Sequence, residues 1–572
     1  MTTAPSDAGL SWPLLRSDVT LVPTASGAWL GTADSSFTVG GAGVHRVLAD
    51  LMTGLDGSRS AEDLLDAAGA GREVRARLLD VLAERGYVVD LALPVGELVE
   101  RYGPGAGRLV ADLAQRHRDP AAALGRIVTG AVLLVGPASA RAALRRALGS
   151  YALQGPTVQE LADRGALHEA LSHTDPSTAV VVDLDPEVEP GATPPPLLGP
   201  PAWRQVVAGT LGDAVWVAPS TGASPACWPC LARAAPDDGT TAPPVDGPLV
   251  AAVIADAVHA LLAAPGDASV LADPVASVHA DVRVDRHRAW SGQGCRCGRV
   301  PRTTTGSPPV LPPRPLAVAP GEVRDDLGFD RLADRTASWV DPQLGPLLRL
   351  DEADLAQVPL GRVVGEVLRE TGEQERRHWT RGRVTSVAVT SREARHEAAL
   401  AAVELVAASA RGQDGTTAAG WSLDEAVYRA LVRQVRDLPA DGTDPAGPER
   451  SAGPDHAGGD CGRYCSFVER AAEHLTGHAP RWGVAVRRRG LAVVHGHLGG
   501  QEVRGVGLCP DEARISALLT LLADRSSPVV VPPQAASWDD VWSTVLRPAH
   551  RPVAARDRLP FPTDQVVLVC LS

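Results

Sequence analysis

The sequence predicts a multidomain protein of mixed α/β and α+β class, and three observations support this. The chain has 572 residues, which corresponds to about three or four domains at roughly 100–200 residues per domain. Stretches rich in proline and glycine, at residues 186–201, 299–315 and 437–460, divide the chain, because such stretches bury too little apolar surface to order themselves. Between these breaks, short strands with helices give way to buried strands that alternate with helices.

The first predicted domain, residues 1–92, is a small winged-helix-like unit of three short strands and three helices. The strands are predicted at residues 19–23, 28–31 and 36–39. Three helical patterns follow: one stops at Gly57, one is capped by Ser60, and one ends at Gly86. Serine is a favoured N-cap and glycine commonly ends a helix, so these positions set the helix boundaries.

The second predicted domain, residues 93–300, alternates helices with continuous apolar strands. The strands lie at residues 131–135, 178–183 and 214–218, and this pattern predicts a mostly parallel α/β sheet. A nucleotide-binding loop after the first strand would need glycines that let backbone N–H groups approach phosphate. Here Gly136 is followed by Pro137, which has no N–H, so the loop is not predicted to bind phosphate.

The third predicted domain, residues 316–572, mixes long alanine-rich helices with strands and is therefore predicted to be α+β. Glu397 and Glu404 are seven residues apart on one helix and so share a face. Such a pair could bind magnesium. A solvated helix face is the commoner explanation.

Charge and composition exclude several classes of protein. The net charge is −13, and no run of basic residues resembles a nucleic-acid-binding arm, so no DNA or RNA partner is expected. The sequence contains no lysine, which excludes a Schiff-base lysine and a phosphate-loop lysine. The sequence has no secretory signal and no apolar run of about 18 residues, and it has few cysteines. These features predict a cytoplasmic protein without membrane attachment.

Two closely spaced cysteine pairs are the strongest motif in the chain. Cys227 and Cys230 form the first pair, and Cys295 and Cys297 form the second. Four thiolates supplied by two turns predict a structural zinc ion with no open coordination position. A redox pair at the first site and four unrelated thiols are the alternatives. The other cysteines are expected to be ordinary thiols: Cys461, Cys465, Cys509 and Cys570.

At this point the motifs resemble a known family. The first 300 residues are similar to the ocin-ThiF-like leader-peptide-binding partners of thiopeptide-type, azoline-forming cyclodehydratases. Residues 217–235, VAPSTGASPACWPCLARAA, and residues 294–298, GCRCG, carry the resemblance. The resemblance implies zinc at the four paired cysteines and a ThiF-like domain that does not adenylate, which agrees with the loop at Gly136.

The first domain resembles the peptide-recognition element of the same pathways. The resemblance implies that a leader peptide adds a strand to a sheet edge and lies against the last helix, a mode in which backbone hydrogen bonds provide affinity. The implied contact residues are Ser36, Phe37, Thr38 and Val39 on the edge strand, and Arg75, Leu78, Leu79 and Leu82 on the helix. A nucleic-acid-binding winged helix is the alternative, and the acidic composition is against it.

The third domain resembles a YcaO domain, which uses ATP to activate a peptide amide. Residues 340–345, VDPQLG, resemble its opening motif, but only Glu404 fits the expected metal-binding carboxylates. Arg433 stands where an acidic residue is expected, and Leu521 and Leu522 replace an acidic pair. A magnesium–ATP site needs oxygen ligands, so the resemblance implies a degenerate domain, and no ATP is expected on this chain.

The sequence therefore predicts a non-catalytic partner that delivers a precursor peptide to a separate YcaO cyclodehydratase, which forms thiazolines or oxazolines from Cys, Ser and Thr. A flavin dehydrogenase and a second copy of the chain are further candidate partners. Two alternatives are a fused single-chain ATP-dependent cyclodehydratase and a redox protein that uses the first cysteine pair.

Overall fold

The structure is a computed structural model that forms two compact units. One unit comprises Met1–Ser224 with Pro236–Arg286, and the other comprises Pro225–Ala235 with His287–Ser572. The structure describes residues 10–32, 35–67, 71–184, 203–220, 228, 231, 242–264, 275–287, 336–337, 339–353, 355, 357–371, 378–411, 416–421, 423–438, 460–523, 553–554 and 567–571. In that part of the chain, no helix is long and apolar enough to cross a membrane.

The first unit begins with short strands and helices at the predicted places. The elements are β1 (Trp12–Leu15), β2 (Thr20–Thr24), β3 (Gly27–Gly31), β4 (Ser36–Gly40), α1 (Val44–Gly54), α2 (Ala61–Asp66), α3 (Arg72–Glu84) and β5 (Val88–Leu91). Strands β2, β3 and β4 form an antiparallel sheet in that order. Strand β1 was not predicted, and it pairs with β5.

Local chemistry explains the helix boundaries. The Ser60 hydroxyl accepts a 3.1 Å hydrogen bond from the Asp63 N–H, which caps α2 as predicted. Gly86 follows α3 with φ of 71°, a left-handed conformation that glycine adopts without steric cost. Leu48 and Leu51 of α1 pack in one core with Leu30 of β3.

The same unit continues into a seven-stranded sheet flanked by helices. The elements are α4 (Val95–Tyr102), α5 (Ala106–Leu113), α6 (Pro120–Thr129), β6 (Ala131–Val135), α7 (Ala138–Gly149), β7 (Thr157–Glu160), α8 (Arg164–His173), β8 (Ala179–Leu184), β9 (Arg204–Leu211), β10 (Ala214–Ser220), α9 (Pro248–Ala263), β11 (Val275–His279) and β12 (Val284–His287). The strand order is β12-β11-β10-β9-β8-β6-β7.

The predicted mostly parallel sheet is only partly correct. Strands β7, β6, β8 and β9 are parallel neighbours, whereas β9–β10 and β10–β11 are antiparallel pairs. The reversal occurs at Gly212, whose φ is 60°. A positive φ permits the tight turn of a hairpin, and this turn follows a strand, β9, that the sequence pattern did not reveal.

The second unit is α+β, as predicted. Its elements are β13 (Leu347–Asp351), β14 (Gly361–Thr371), β15 (His378–Ala388), α10 (Ser391–Arg411), β16 (Thr416–Gly420), α11 (Leu423–Asp437), α12 (Asp460–Thr476), β17 (Arg481–Trp482), β18 (Val486–Arg488), β19 (Leu491–Leu498), β20 (Gln501–Gly507), α13 (Pro510–Leu522), β21 (Val553–Ala554) and β22 (Val567–Leu571). Alanine and valine side chains of α10 pack against valines of β14 in one core.

Candidate functional site

Helices α10 and α11 bring together a group of buried charged side chains in the second unit. Helix α10 begins with a capping box, in which the Thr390 hydroxyl accepts from the Glu393 N–H at 3.2 Å and the Glu393 carboxylate accepts from the Thr390 N–H at 3.1 Å. This boundary fixes the phase of α10, which directs Glu397 and Glu404 inward. Both side chains are buried, so the prediction of a solvated helix face is wrong.

Arg429 of α11 connects the two glutamates. Its Nη1 and Nη2 donate to Glu397 Oε2 at 2.5 Å and to Glu397 Oε1 at 3.1 Å. Its Nε donates to Glu404 Oε1 at 3.3 Å. Only 1% of Arg429 is exposed, and a planar guanidinium suits such two-oxygen contacts with a carboxylate.

Arg433, one turn further along α11, completes the arrangement. Its Nη2 donates to Glu404 Oε2, and its Nη1 donates to the Thr417 carbonyl at 2.7 Å. The backbone N–H of Ala419 in β16 donates to Glu404 Oε1 at 3.0 Å. Each of the four carboxylate oxygens of Glu397 and Glu404 therefore accepts at least one hydrogen bond. We call these two glutamates with Arg429 and Arg433 the charge cluster.

The charge cluster holds two negative and two positive groups away from water. Burial alone would raise the pKa of Glu404, but the charges of Arg429 and Arg433 lower that pKa to about 2. Burial also opposes the charge of Arg429, yet Glu397 and Glu404 raise its pKa above the ordinary value. The guanidinium groups of Arg429 and Arg433 therefore contact carboxylate oxygens that a divalent metal ion would otherwise bind.

His396 and Glu425 lie beside the charge cluster, and burial shifts the pKa of each toward its neutral form. Their closest atoms, His396 Nε2 and Glu425 Oε1, are 3.6 Å apart, which is too long for a hydrogen bond. Burial and the charge of Arg429 lower the pKa of His396 to about 4. Burial raises the pKa of Glu425 to about 7, although Arg429 opposes this. Glu425 Oε2 accepts from the Trp421 N–H at 2.9 Å.

Sequence reasoning found Glu397, Glu404 and Arg433 but missed how they combine. Glu425, Arg429 and Arg433 follow each other at four-residue intervals, so they share one face of α11. The sequence therefore contained a signal: one face of α11 carries two arginines, and one face of the preceding helix carries two glutamates with which they could pair.

The loop after β6 is shaped by close packing against β8. Gly136 has φ of 126°, and a Cβ there would lie 2.3 Å from the Leu184 carbonyl oxygen. The glycine is thus required for close packing of β6 against β8. Pro137 is the N-cap of α7 and supplies no N–H, as the sequence indicated.

The predicted peptide-binding strand lies at the end of its sheet. Strand β4 pairs with β3 on one side. Thr32 N–H donates to the Ser35 carbonyl, and Gly41 N–H donates to the Ser26 carbonyl. Antiparallel bonding alternates along a strand, so β4 bonds to β3 through Phe37 and Val39, while the backbone groups of Ser36, Thr38 and Gly40 are directed toward the other side.

The opposite edge of this sheet is less suitable for strand addition. The same alternation directs Pro23 of β2 toward the outer side, and proline has no N–H to donate. Proline on an edge strand discourages pairing with another chain. The β4 edge is therefore the better acceptor of an added strand.

The helix residues predicted to contact the peptide are divided between surface and core. Leu78, Leu79 and Leu82 are buried in the core of the first unit. Arg75 is partly exposed, and its Nη2 lies 4.0 Å from Asp50 Oδ2. Just after the helix, the guanidinium of Arg85 lies 5.2 Å from the centroid of the Phe37 ring, and Phe37 also packs against Tyr87 at 5.3 Å.

The four predicted zinc ligands, Cys227, Cys230, Cys295 and Cys297, lie outside the described residues. Two neighbours of the first pair are described: Trp228 and Leu231 are both buried. The zinc site therefore stays a prediction.

Comparison with known proteins shows a likeness of fold. No family model and no curated protein matches the sequence. A solved structure described as a heterocyclase in complex with substrate and cofactor has a TM-score of 0.52 and 13% identity, covering 98% of this chain and 94% of that chain. The heterocyclase TruD has a TM-score of 0.43 and 11% identity, covering 98% of this chain and 94% of that chain.

A shorter match is Escherichia coli MccB with MccA-N7isoASN, which has a TM-score of 0.34 and 12% identity. It covers 50% of this chain and 99% of that chain. The match with the TM-score of 0.52 shows that the chain has a heterocyclase-like fold of mixed α/β and α+β class.

Proposed function

We propose that this chain is a non-catalytic partner that binds the leader of a ribosomal precursor peptide and delivers the peptide to a separate YcaO cyclodehydratase. The observation that carries the proposal is the charge cluster. Arg429 and Arg433 form ion pairs with Glu397 and Glu404, the carboxylates that the sequence offered as possible magnesium ligands, and this pairing supports a chain that does not bind magnesium and ATP there.

Peptide binding is assigned to the β4 edge, defined as Ser36 to Val39. An extended leader would add a strand beside β4, with backbone hydrogen bonds to Ser36 and Thr38. Phe37 and Arg85 would form the adjoining surface. Leu78, Leu79 and Leu82 would support that surface from within the core, and Arg75 would contact the peptide.

The proposed assembly acts by proximity. Holding the leader on one protein and the cyclodehydratase on the same complex raises the effective concentration of the peptide core without new chemistry. A structural zinc at Cys227, Cys230, Cys295 and Cys297, a cytoplasmic location, a flavin dehydrogenase partner and a homodimer belong to the same proposal. No nucleic-acid partner or membrane contact is expected.

A binding and turnover experiment tests this assignment. Purified full-length chain is titrated with a fluorescent leader peptide, and phosphate release from ATP is measured with full-length precursor present. We expect saturable binding and no phosphate release above the buffer blank. Addition of the separate cyclodehydratase should produce phosphate release, and the precursor peptide should lose the mass of one water molecule for each ring formed.

A fused, single-chain cyclodehydratase is the second candidate, because the fold match extends over 98% of this chain. The two candidates make opposite predictions for Glu404→Gln. If the chain alone releases phosphate and this substitution abolishes the release, the chain is an enzyme and the non-catalytic assignment fails. A redox role for the first cysteine pair would instead appear as titratable thiols at Cys227 and Cys230.

A further inference from the structure

A second group of potential metal ligands lies in the second unit, between the start of α12 and the start of α13. Cys461 is in the first turn of α12, and Cys509 is the N-cap of α13. Glu512 follows within the first turn of α13. The nearest ligand atoms of these three residues all lie within 4.8 Å of one another. We call these residues the thiol cluster.

The spacing of the two sulfur atoms fits a shared ion. Cys461 Sγ and Cys509 Sγ are 3.8 Å apart. Two thiolates bound to one tetrahedral zinc, each about 2.3 Å from the ion, lie about 3.8 Å apart. An ion could therefore enter between the sulfurs without moving either helix.

The surroundings favour negatively charged sulfur. Both thiols lie at helix N-termini, where exposed N–H groups and the helix dipole stabilise negative charge.

Burial of the ligand side chains also favours a metal site. Cys461 is 5% exposed and Glu512 is 1% exposed, so these ligands would need little side-chain ordering to bind. Cys509 is only half-buried, which leaves a side open for entry of the ion and for a fourth, solvent ligand. Glu512 Oε2 accepts from the Leu508 N–H at 2.9 Å, which orients the carboxylate.

We propose that Cys461, Cys509 and Glu512 bind a thiolate-preferring divalent cation of the zinc class, with a ligand set that does not include the four cysteines 227, 230, 295 and 297. Two sulfur ligands select against magnesium and calcium. Thiols bind a metal ion as thiolates and release their protons, so affinity rises with pH. With one open position, the ion would tie α12 to α13 and remain accessible to an external ligand.

Metal content of full-length variants tests the proposal. Cys461→Ser and Cys509→Ser are compared with the wild-type chain after removal of loosely bound metal. Cys465→Ser is the control, because Cys465 is a buried thiol one turn from Cys461 and outside the cluster. We expect each cluster variant to hold one zinc fewer per chain than the wild type, and the control to match the wild type. Unchanged zinc in both cluster variants would overturn the proposal.

Cobalt binding by the wild-type chain and by Glu512→Gln provides a second test. Co²⁺ should produce thiolate charge-transfer absorption, and the glutamine variant should bind Co²⁺ about tenfold or more weakly, since even outer-shell changes cost about 10–100-fold.

A measurement on the wild-type chain guards against variants that fail to fold. Alkylation of Cys509, located by peptide mapping, should be slow until a chelator is added. Equal alkylation with and without chelator contradicts a metal site. Recovery of Cys461 and Cys509 as a disulfide from freshly purified protein contradicts it as well.

Discussion

The β4 edge and the charge cluster differ in what their polar groups are free to do. At the β4 edge, Ser36 and Thr38 direct backbone groups away from β3, and both residues are exposed. In the charge cluster, every carboxylate oxygen accepts a hydrogen bond and each charge has an opposite neighbour. The first region can still pair with a new strand, whereas the second has satisfied its own groups. The comparison therefore sets a strand edge that can accept a further strand against a group of charges that satisfy one another.

Removing a cation from the charge cluster should have the largest effect. Arg429→Met leaves Glu397 and Glu404 buried with one cation between them, and we expect a loss of about 3–5 kcal/mol of unfolding free energy. Urea denaturation of the full-length chain, followed through the unfolding transition of the second unit, measures this loss.

The matched control is the double variant Arg429→Met with Glu397→Met, which removes a buried pair together. Replacing both partners by apolar groups can be nearly neutral, so we expect it to be more stable than Arg429→Met. If Arg429→Met is as stable as the wild type, the charge cluster is not a closed ionic unit.

The pH dependence of stability should show the neutral state of Glu425. Its pKa is raised to about 7, so the folded chain favours the protonated form. This contribution is present below about pH 4.5 and is lost as pH rises through 7, by up to about 3 kcal/mol. Glu425→Gln should remove that loss, and denaturation midpoints at pH 5 and pH 8 measure it.

The titration of His396 changes the stability with pH in the opposite direction to that of Glu425. Its pKa is lowered to about 4, so its contribution is present above about pH 6.5 and is lost as pH falls toward 4. Because the two effects oppose each other between about pH 4.5 and pH 6.5, the Glu425 contribution is taken from the difference between the pH profiles of the wild type and Glu425→Gln. Identical pH profiles for wild type and Glu425→Gln would show that Glu425 ionises normally.

The next largest effect should come from a proline in the edge strand β4, which should weaken peptide binding. Thr38→Pro removes an outward N–H of β4 while Phe37 and Val39 still bond to β3. We expect leader affinity to fall by about tenfold, which corresponds to about 1.4 kcal/mol. Fluorescence anisotropy measures the affinity. Thr38→Val is the control, because it keeps the N–H and the branched shape; equal affinity in both variants would place the peptide elsewhere.

The smallest expected effect concerns the surface beside β4. Arg85 lies over the Phe37 ring, and such a contact is worth about 0.5–1 kcal/mol at exposed sites. Arg85→Ala should therefore weaken leader binding by about two- to fivefold. Arg77→Ala, on the exposed side of α3 where Arg77 pairs with Glu73, is the charge-matched control. Equal losses in the two variants would indicate a general charge effect.

The sequence predicted the local elements well where the pattern is periodic or capped. Ser60, Gly86 and the apolar run before Gly136 each set a boundary through interactions within a few residues. It failed for β1 and β9, because β1 is ordered by pairing with β5 and β9 by a hairpin with β10. The stability of such strands depends on partners that lie elsewhere in the chain.

The sequence by itself determined the α+β class of the second unit, the capped helices and the end of the strand before Gly136. These depend on backbone chemistry that each residue carries with it. Only the tertiary structure decided that Glu397 and Glu404 face arginines, and that Cys461 and Cys509 lie 3.8 Å apart. A charge or a thiol takes its function from its nearest oppositely charged or ligating neighbour, and here that neighbour comes from a different helix.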